Sequence, residues 1–293
     1  MRITVRLCNF LTLLMLFGFG FQGAINCQYI DHCDLRFIDH LVNRSDYTEA
    51  IFLIESEECK TCKSRDSINY YLGWSLYSSR QLLKSAEALS HVSQSSTFYN
   101  KSQFFAAYDY AHIGYLNEAE KVLNHINPLT TKLSSLKKLE VAGIRLIQKD
   151  FQGFRNTVMD IDSNLFELSE SYIYLKSLEK QMINHKSKSP LVGGLLSAVI
   201  PGTGKLYANK KGAAVSSFIS TVGLGAVTFE NYRKRGINDI RTIAFGSVFL
   251  VSYISGIYGS VAAVKLFNIE YDENITNTIL FNIHIPLRNV FNK

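Results

Sequence analysis

The sequence predicts an all-α chain in two parts, a set of repeated helical hairpins followed by a small hydrophobic helical module. Three observations carry that expectation. Apolar residues keep a helical period from residue 34 to 180, with no strand-like alternation to interrupt it. Within that stretch, small residues recur at intervals of about 34 positions. From residue 190 to 266 the composition turns small and apolar, rich in Gly, Ala and Ser. The overall figures of 47% apolar and 19% charged hide this division. A chain of 293 residues is long enough for one sizeable domain and an accessory module.

At the N-terminus, Arg2 and Arg6 precede the apolar run from Leu11 to Phe21. That is the charged start and hydrophobic centre of a secretory signal. Residues 1–27 are expected to be a signal peptide, cut after Ala24 or Cys27, or else an uncleaved signal anchor. Asn26 stands where a small residue should precede a lipidated cysteine, which argues against lipidation of Cys27. Both readings send the chain beyond residue 27 out of the cytoplasm. The net charge of +6 comes from scattered Lys and Arg. No basic stripe of the kind that tracks nucleic acid is present, so that partner class is not expected. Beside hydrophobic segments, a basic excess points to anionic lipid headgroups.

Residues 28–180 form the expected repeat domain. Its clearest unit lies between Gln103 and Pro128, with Ala107, Tyr110, Gly114, Leu116, Ala119, Leu123, Ile126 and Pro128. Small residues in this pattern let paired helices approach, and large ones fill the groove between neighbouring units. Leu72, Gly73, Leu76 and Tyr77 open a similar unit upstream, which Ala86, Leu89 and Val92 continue. Tyr47, Ala50 and Ile54 read as the second helix of an earlier unit, whose first helix lies near Leu35–Val42. Gly143, Leu146, Phe151 and Phe154 make a degenerate fourth. On these residues, positions 34–160 resemble the tetratricopeptide-repeat proteins of bacterial envelopes. The resemblance implies a concave surface that binds other proteins. The competing reading is a helical bundle without repeats.

A polar linker, 181–189, carries His185, Lys186 and Lys188 and leads into the hydrophobic module, 190–266. Its first stretch, Leu191–Ile200, is too short to span a bilayer and is broken by Pro201-Gly202, so a half-helix is expected. Gly212–Phe229 and Ile240–Leu266 are long enough to cross. Pro201, Gly202, Gly204 and Tyr207 form a turn pattern that resembles short hydrophobic modules of several bacterial membrane proteins. A phosphate-loop reading of Gly202-Thr203-Gly204-Lys205 fails, because Val199 replaces the first glycine and Leu206 the Mg²⁺-binding Ser or Thr. The tail, 267–293, alternates Phe281, Ile283, Ile285 and Leu287, which suggests a short strand or an interfacial amphipathic segment.

Chemistry is sparse. Cys59-Lys60-Thr61-Cys62 admits a redox motif, half a zinc site or a disulfide donor. A redox site needs a preceding strand, whereas Ile51–Glu58 reads as helix. Zinc would need Cys33 together with His32 or His40. A structural disulfide from Cys33 to Cys59 or Cys62 suits an exported domain. The seven histidines show no metal-binding spacing, and no nucleophile motif appears. No catalytic, cofactor or metal residue is therefore expected, and no cofactor. Tyr70, Tyr71, Trp74, Tyr108 and Tyr110 read as repeat core. The expected function is a membrane-tethered protein-interaction scaffold of the bacterial envelope, with a protein partner and membrane lipid. The alternatives are an accessory of transport, secretion or membrane insertion, and a cysteine-dependent redox protein.

Overall fold

Four times between residues 34 and 159 a helix ends on a residue with positive φ, and a second helix begins two residues later. These residues are Ser45, Arg80, Gly114 and Lys149, spaced 35, 34 and 35 apart. At each, the next N–H reaches back to a carbonyl five residues earlier: Asp46 to Leu41, Gln81 to Leu76, Tyr115 to Tyr110 and Asp150 to Arg145, at 2.8–2.9 Å. This is the Schellman arrangement, which satisfies carbonyls left open by a helix end. The computed structural model describes residues 34–56, 64–127, 130–159 and 166–291. Everything regular among them is α-helical.

The four turns join α1 (Leu35–Asn43) to α2 (Tyr47–Ile54) and α3 (Arg65–Ser78) to α4 (Leu82–Ser90). They likewise join α5 (Tyr99–His112) to α6 (Leu116–His125) and α7 (Thr131–Ile147) to α8 (Phe151–Met159). Some helix starts carry side-chain caps, whereas Asp46 and Ser64 make none. The Asp34 carboxylate accepts from the N–H groups of Arg36 and Phe37, and the Thr130 hydroxyl accepts from that of Leu133. Counting five residues past each turn gives Ala50, Ser85, Ala119 and Phe154, all fully buried. The second unit thus departs from the expected frame: Ser85 holds the position assigned to Ala86. Its hydroxyl donates to the Gly73 carbonyl at 2.9 Å, while Ala86 is buried one place further on. Counting seven residues before each turn gives Ile38, Gly73, Ala107 and Ala142, so Gly143 also lies one place off the frame.

After the hairpins, α9 (Phe166–Asn184) extends into the stretch expected to be linker, leaving residues 185–189 as the connection. That connection is held down. Lys188 N–H donates to Asn268 Oδ1 at 3.0 Å, Asn268 Nδ2 donates to Lys188 O at 2.8 Å, and Lys188 Nζ donates to Tyr207 O at 2.8 Å.

The hydrophobic part comprises α10 (Pro190–Val199), α11 (Thr203–Tyr207), α12 (Lys211–Arg235) and α13 (Ile240–Phe291). Both α12 and α13 are long and apolar enough to cross a membrane. They expose Ile219, Phe229, Val251 and Tyr258, each over 60% accessible. Apolar exposure on that scale belongs to a surface that meets something other than water. The ten-residue α10 stays a half-helix and lies against α13.

The tail departs most from expectation. It is neither a strand nor an interfacial segment, because α13 continues without a break for 52 residues, about 78 Å at 1.5 Å per residue. The alternation of Phe281, Ile283, Ile285 and Leu287 is resolved by helix geometry. Ile283 and Leu287, four apart, are buried, whereas Phe281 and Ile285 are exposed.

Candidate functional site: a groove filled by the chain's own helix

The C-terminal half of α13 leaves the hydrophobic module and packs along α7, α9 and α5. Ile275, Ile279, Leu280, Ile283 and Leu287 join one buried core with Phe104, Phe105, Leu136, Leu139 and Phe154 of the hairpins. The seat is cut to receive them. A Cβ added at Gly143 would stand 2.7 Å from Ile283 Cγ2 and 3.4 Å from Ile279 Cγ2, so only hydrogen fits there. Gly143 is therefore a docking glycine for α13, which explains its displacement from the repeat frame.

Orientation follows from the ends of the contact. Lys149, the left-handed residue of the fourth turn, pairs with Asp272 at 3.0 Å. Eleven residues along α13, Ile283 lies on Gly143, six residues back along α7. The two helices are thus antiparallel. Further on, His284 stacks on Tyr108 of α5, with ring centroids 4.3 Å apart, and its Nε2 is hydrogen-bonded to the Tyr77 hydroxyl of α3. Phe291 closes the contact against Phe104 and Phe105.

The groove is electrostatically unusual. Burial, then the charges of Arg288 and His112, hold the His284 pKa down to about 4, so its ring is neutral near pH 7. Burial and the neighbouring Asp109 push the Tyr77 phenol up to about 12. Glu140, one turn before Gly143 on α7, is only 1% exposed, and neither carboxyl oxygen has a hydrogen-bond partner. Burial raises its pKa well above the ordinary carboxylate range. Asp109 of α5, fully buried, is pushed up to about 8, again by burial and against the opposing pull of Ser85. Asp109 is therefore largely protonated at neutral pH, and burial favours the neutral form of Glu140 in the same direction.

The expected packing residues fall into distinct roles. Leu89 crosses Gly73 so closely that a Cβ there would lie 2.5 Å from Leu89 Cγ and 3.2 Å from its backbone nitrogen. Ala107 and Ala119 are buried in the main core, and Gly114 forms the third turn. Tyr110 is half-buried and lines an open cleft of about 420 Å³ with Tyr99, Gln103 and His125. The other aromatics stack within the hairpins: Tyr70 on Phe98 at 4.1 Å, and Trp74 edge-on to Phe105 at 5.0 Å, with Lys101 Nζ 3.9 Å from the Trp74 ring centre. Tyr71 donates to Asp39 across to the first hairpin at 3.0 Å. Cys33, Cys59 and Cys62 lie outside the described residues, as does Pro128.

In the hydrophobic module, the Pro201-Gly202 turn folds α11 back under α10. Gly202 has φ +88, and a side chain there would run into the Ala214 carbonyl of α12. Gly204 faces the Gly193 carbonyl with no room for a Cβ. Its N–H donates to Ser197 Oγ at 2.9 Å, and Ser197 Oγ lies 2.7 Å from Ser260 Oγ of α13. Small residues and buried hydroxyls thus close the module where apolar burial offers little drive. Pro201 borders a small apolar pocket with Phe218, and the Tyr207 carbonyl anchors Lys188.

Sequence reasoning missed His284, Asp109 and Glu140. The signal for the docking helix was present as Ile275, Ile279, Ile283 and Leu287, a four-residue spacing that makes one helical stripe. Among the described residues, no three His, Cys, Asp or Glu side chains come together as a metal site. Compared with known protein families, with curated proteins and with solved structures, the chain matches none.

Proposed function

We propose that this chain is a membrane-tethered protein-interaction scaffold of tetratricopeptide type, with its repeats on the outer side of a bacterial cytoplasmic membrane and no catalytic role of its own. The observation that carries the reading is the continuity of α13, which joins an apolar two-helix module to a four-hairpin array through one unbroken helix. The recurrence of the turns at 34–35 residues supports the tetratricopeptide assignment. The basic residues Arg233, Lys234, Arg235 and Arg241, around the α12–α13 connection, support a cytoplasmic position for that loop.

Affinity capture of the full chain, extracted with its lipid, tests the proposal. Specific proteins should be retained by the native chain and lost when surface residues of the repeats are changed. Recovery of no protein above an unrelated two-span control would defeat the scaffold reading. A second reading, an accessory of transport or membrane insertion, draws support from the internally hydrogen-bonded hairpin of α10 and α11 on α13. Replacing residues 190–266 with an unrelated helical anchor discriminates the two. A scaffold keeps its partners after that exchange, and a transport accessory loses them.

A further inference from the structure

The helix that fills the groove leaves two carboxyls beside it, those of Glu140 and Asp109, without hydrogen-bond partners. Glu140 is 1% exposed with both oxygens unpartnered, although the groups gathered around this junction include Tyr77 from α3 and Tyr108, Asp109 and His112 from α5. From α13 itself come His284 and Arg288. Arg288 supplies the only cation on the docked half of α13, and it makes no ion pair with Glu140. A buried carboxyl without a partner costs free energy, and a cation placed against it recovers hydrogen bonds that the resident helix does not make.

The geometry fixes where such a cation belongs. Because α7 and α13 are antiparallel, moving one turn from Gly143 back to Glu140 corresponds to moving one turn forward from Ile283 to Leu287. We propose that the groove is an exchange site, occupied at rest by residues 272–291, whose competing ligand is a basic amphipathic helix. That helix carries apolar residues at the spacing of Ile275, Ile279 and Ile283, with Lys or Arg in the place of Leu287. This rests on the scaffold reading, and it names the chemistry of the partner that the repeats would take. Exchange would also free the membrane-proximal helix from the hairpins, so partner binding would be felt along α13.

The test uses the full chain in lipid nanodiscs and two fluorescent peptides of residues 270–293, one native and one carrying Leu287→Lys. Anisotropy should show the lysine peptide binding at least tenfold more tightly. The advantage should vanish on a chain carrying Glu140→Gln, a substitution that keeps the shape of the site. A chain with Lys149→Cys and Asp272→Cys, otherwise free of cysteine, should be locked by a short bis-thiosulfonate cross-linker into a form that binds neither peptide, and reduction should restore binding. Equal affinity of the two peptides, an advantage that survives Glu140→Gln, binding to the locked chain, or no binding to the reduced one would each overturn the proposal. Failure of this exchange with partners still captured by the full chain defeats the exchange alone. Peptide exchange without captured partners defeats the scaffold reading instead.

Discussion

Gly143 and Ile283 meet so closely that the space between α7 and α13 holds a hydrogen atom and nothing larger, with a built Cβ only 2.7 Å from Ile283 Cγ2. The contact joins the repeat array to the helix that runs on from the hydrophobic module. Gly143→Ala should therefore overpack the seat at a cost of roughly 1–3 kcal/mol, despite the gain in helix propensity that alanine ordinarily brings. Adding Ile283→Val, which removes only the δ-methyl, should restore little. Adding Ile283→Ala should restore a measurable part, because it deletes the γ-methyl that clashes. Thermal unfolding of the four chains checks this, and an unchanged melting temperature for Gly143→Ala would mean that α13 does not press on α7.

The four turns offer a cleaner comparison, because the same backbone is built from different residues. Arg80 holds φ +60 and Gly114 holds φ +86, and nothing lies within 4 Å of a Cβ built on Gly114. Left-handed backbone costs an L-residue roughly 1–2 kcal/mol relative to glycine. Arg80→Gly should accordingly stabilise the protein by up to about 1 kcal/mol, and Gly114→Ala should destabilise it by a similar amount with no steric clash to blame. Chemical denaturation of each variant measures both signs. Lys149 is a poor choice for this test, since its side chain also pairs with Asp272.

These turns also show why the repeat frame was only partly legible. Glycine at 114 announces a left-handed turn, but Ser45, Arg80 and Lys149 do not, so the frame has to rest on small residues. Those residues mislead in two places. Ser85 takes the position that Ala86 mimics, and Gly143 is small because of α13, not because of its own hairpin. The all-helical class and the two apolar stretches are legible, because period and length carry them directly. The tail is amphipathic as the sequence suggests, but its apolar stripe faces protein. Nothing local in residues 267–291 distinguishes a groove from a lipid surface. Glu140 and Asp109 look like solvated charge in the sequence, and only the assembled fold buries them.

Burial of those carboxyls gives a pH dependence with a definite sign. Asp109 is pushed up to about 8 and Glu140 is raised well above its ordinary value, so the folded chain retains protons that the unfolded chain releases near pH 4. Their contribution is fully present below about pH 4 and is lost as pH rises through the folded values, at up to about 1.4 kcal/mol per unit for each group. His284, with its pKa lowered to about 4, acts oppositely, losing stability as pH falls below about 6.5. Between pH 6.5 and 8 the carboxyls therefore act alone among these three. Asp109→Asn should raise the melting temperature at pH 8 by more than at pH 6.5. A constant difference across that range would show that Asp109 is not buried as a neutral acid.

Two polar clasps fix which ends of the hydrophobic module lie together. Lys210 at the start of α12 pairs with Glu270 of α13 at 2.8 Å, and Lys188 is bound to Asn268. The start of α12 and the point where α13 enters the repeat array thus lie at one end of the module, and the connection from Gly236 to Asp239 lies at the other. Between them α12 runs 25 residues, about 37 Å, enough to cross a hydrocarbon core of about 30 Å. Half-helix α10 and short α11 return to the end from which they started, which leaves α12 and the first half of α13 as the two segments long enough to cross. If the N-terminal signal sends the repeats outward, Asn209 shares their side and Asn238 faces the cytoplasm. Single cysteines, Asn209→Cys and Asn238→Cys, placed in a chain without its native cysteines, report this through a membrane-impermeant thiol reagent applied to intact cells. Labelling is expected at 209 and not at 238. Labelling at 238 alone would invert the molecule and place the repeats in the cytoplasm, and labelling at both would mean that α12 does not cross.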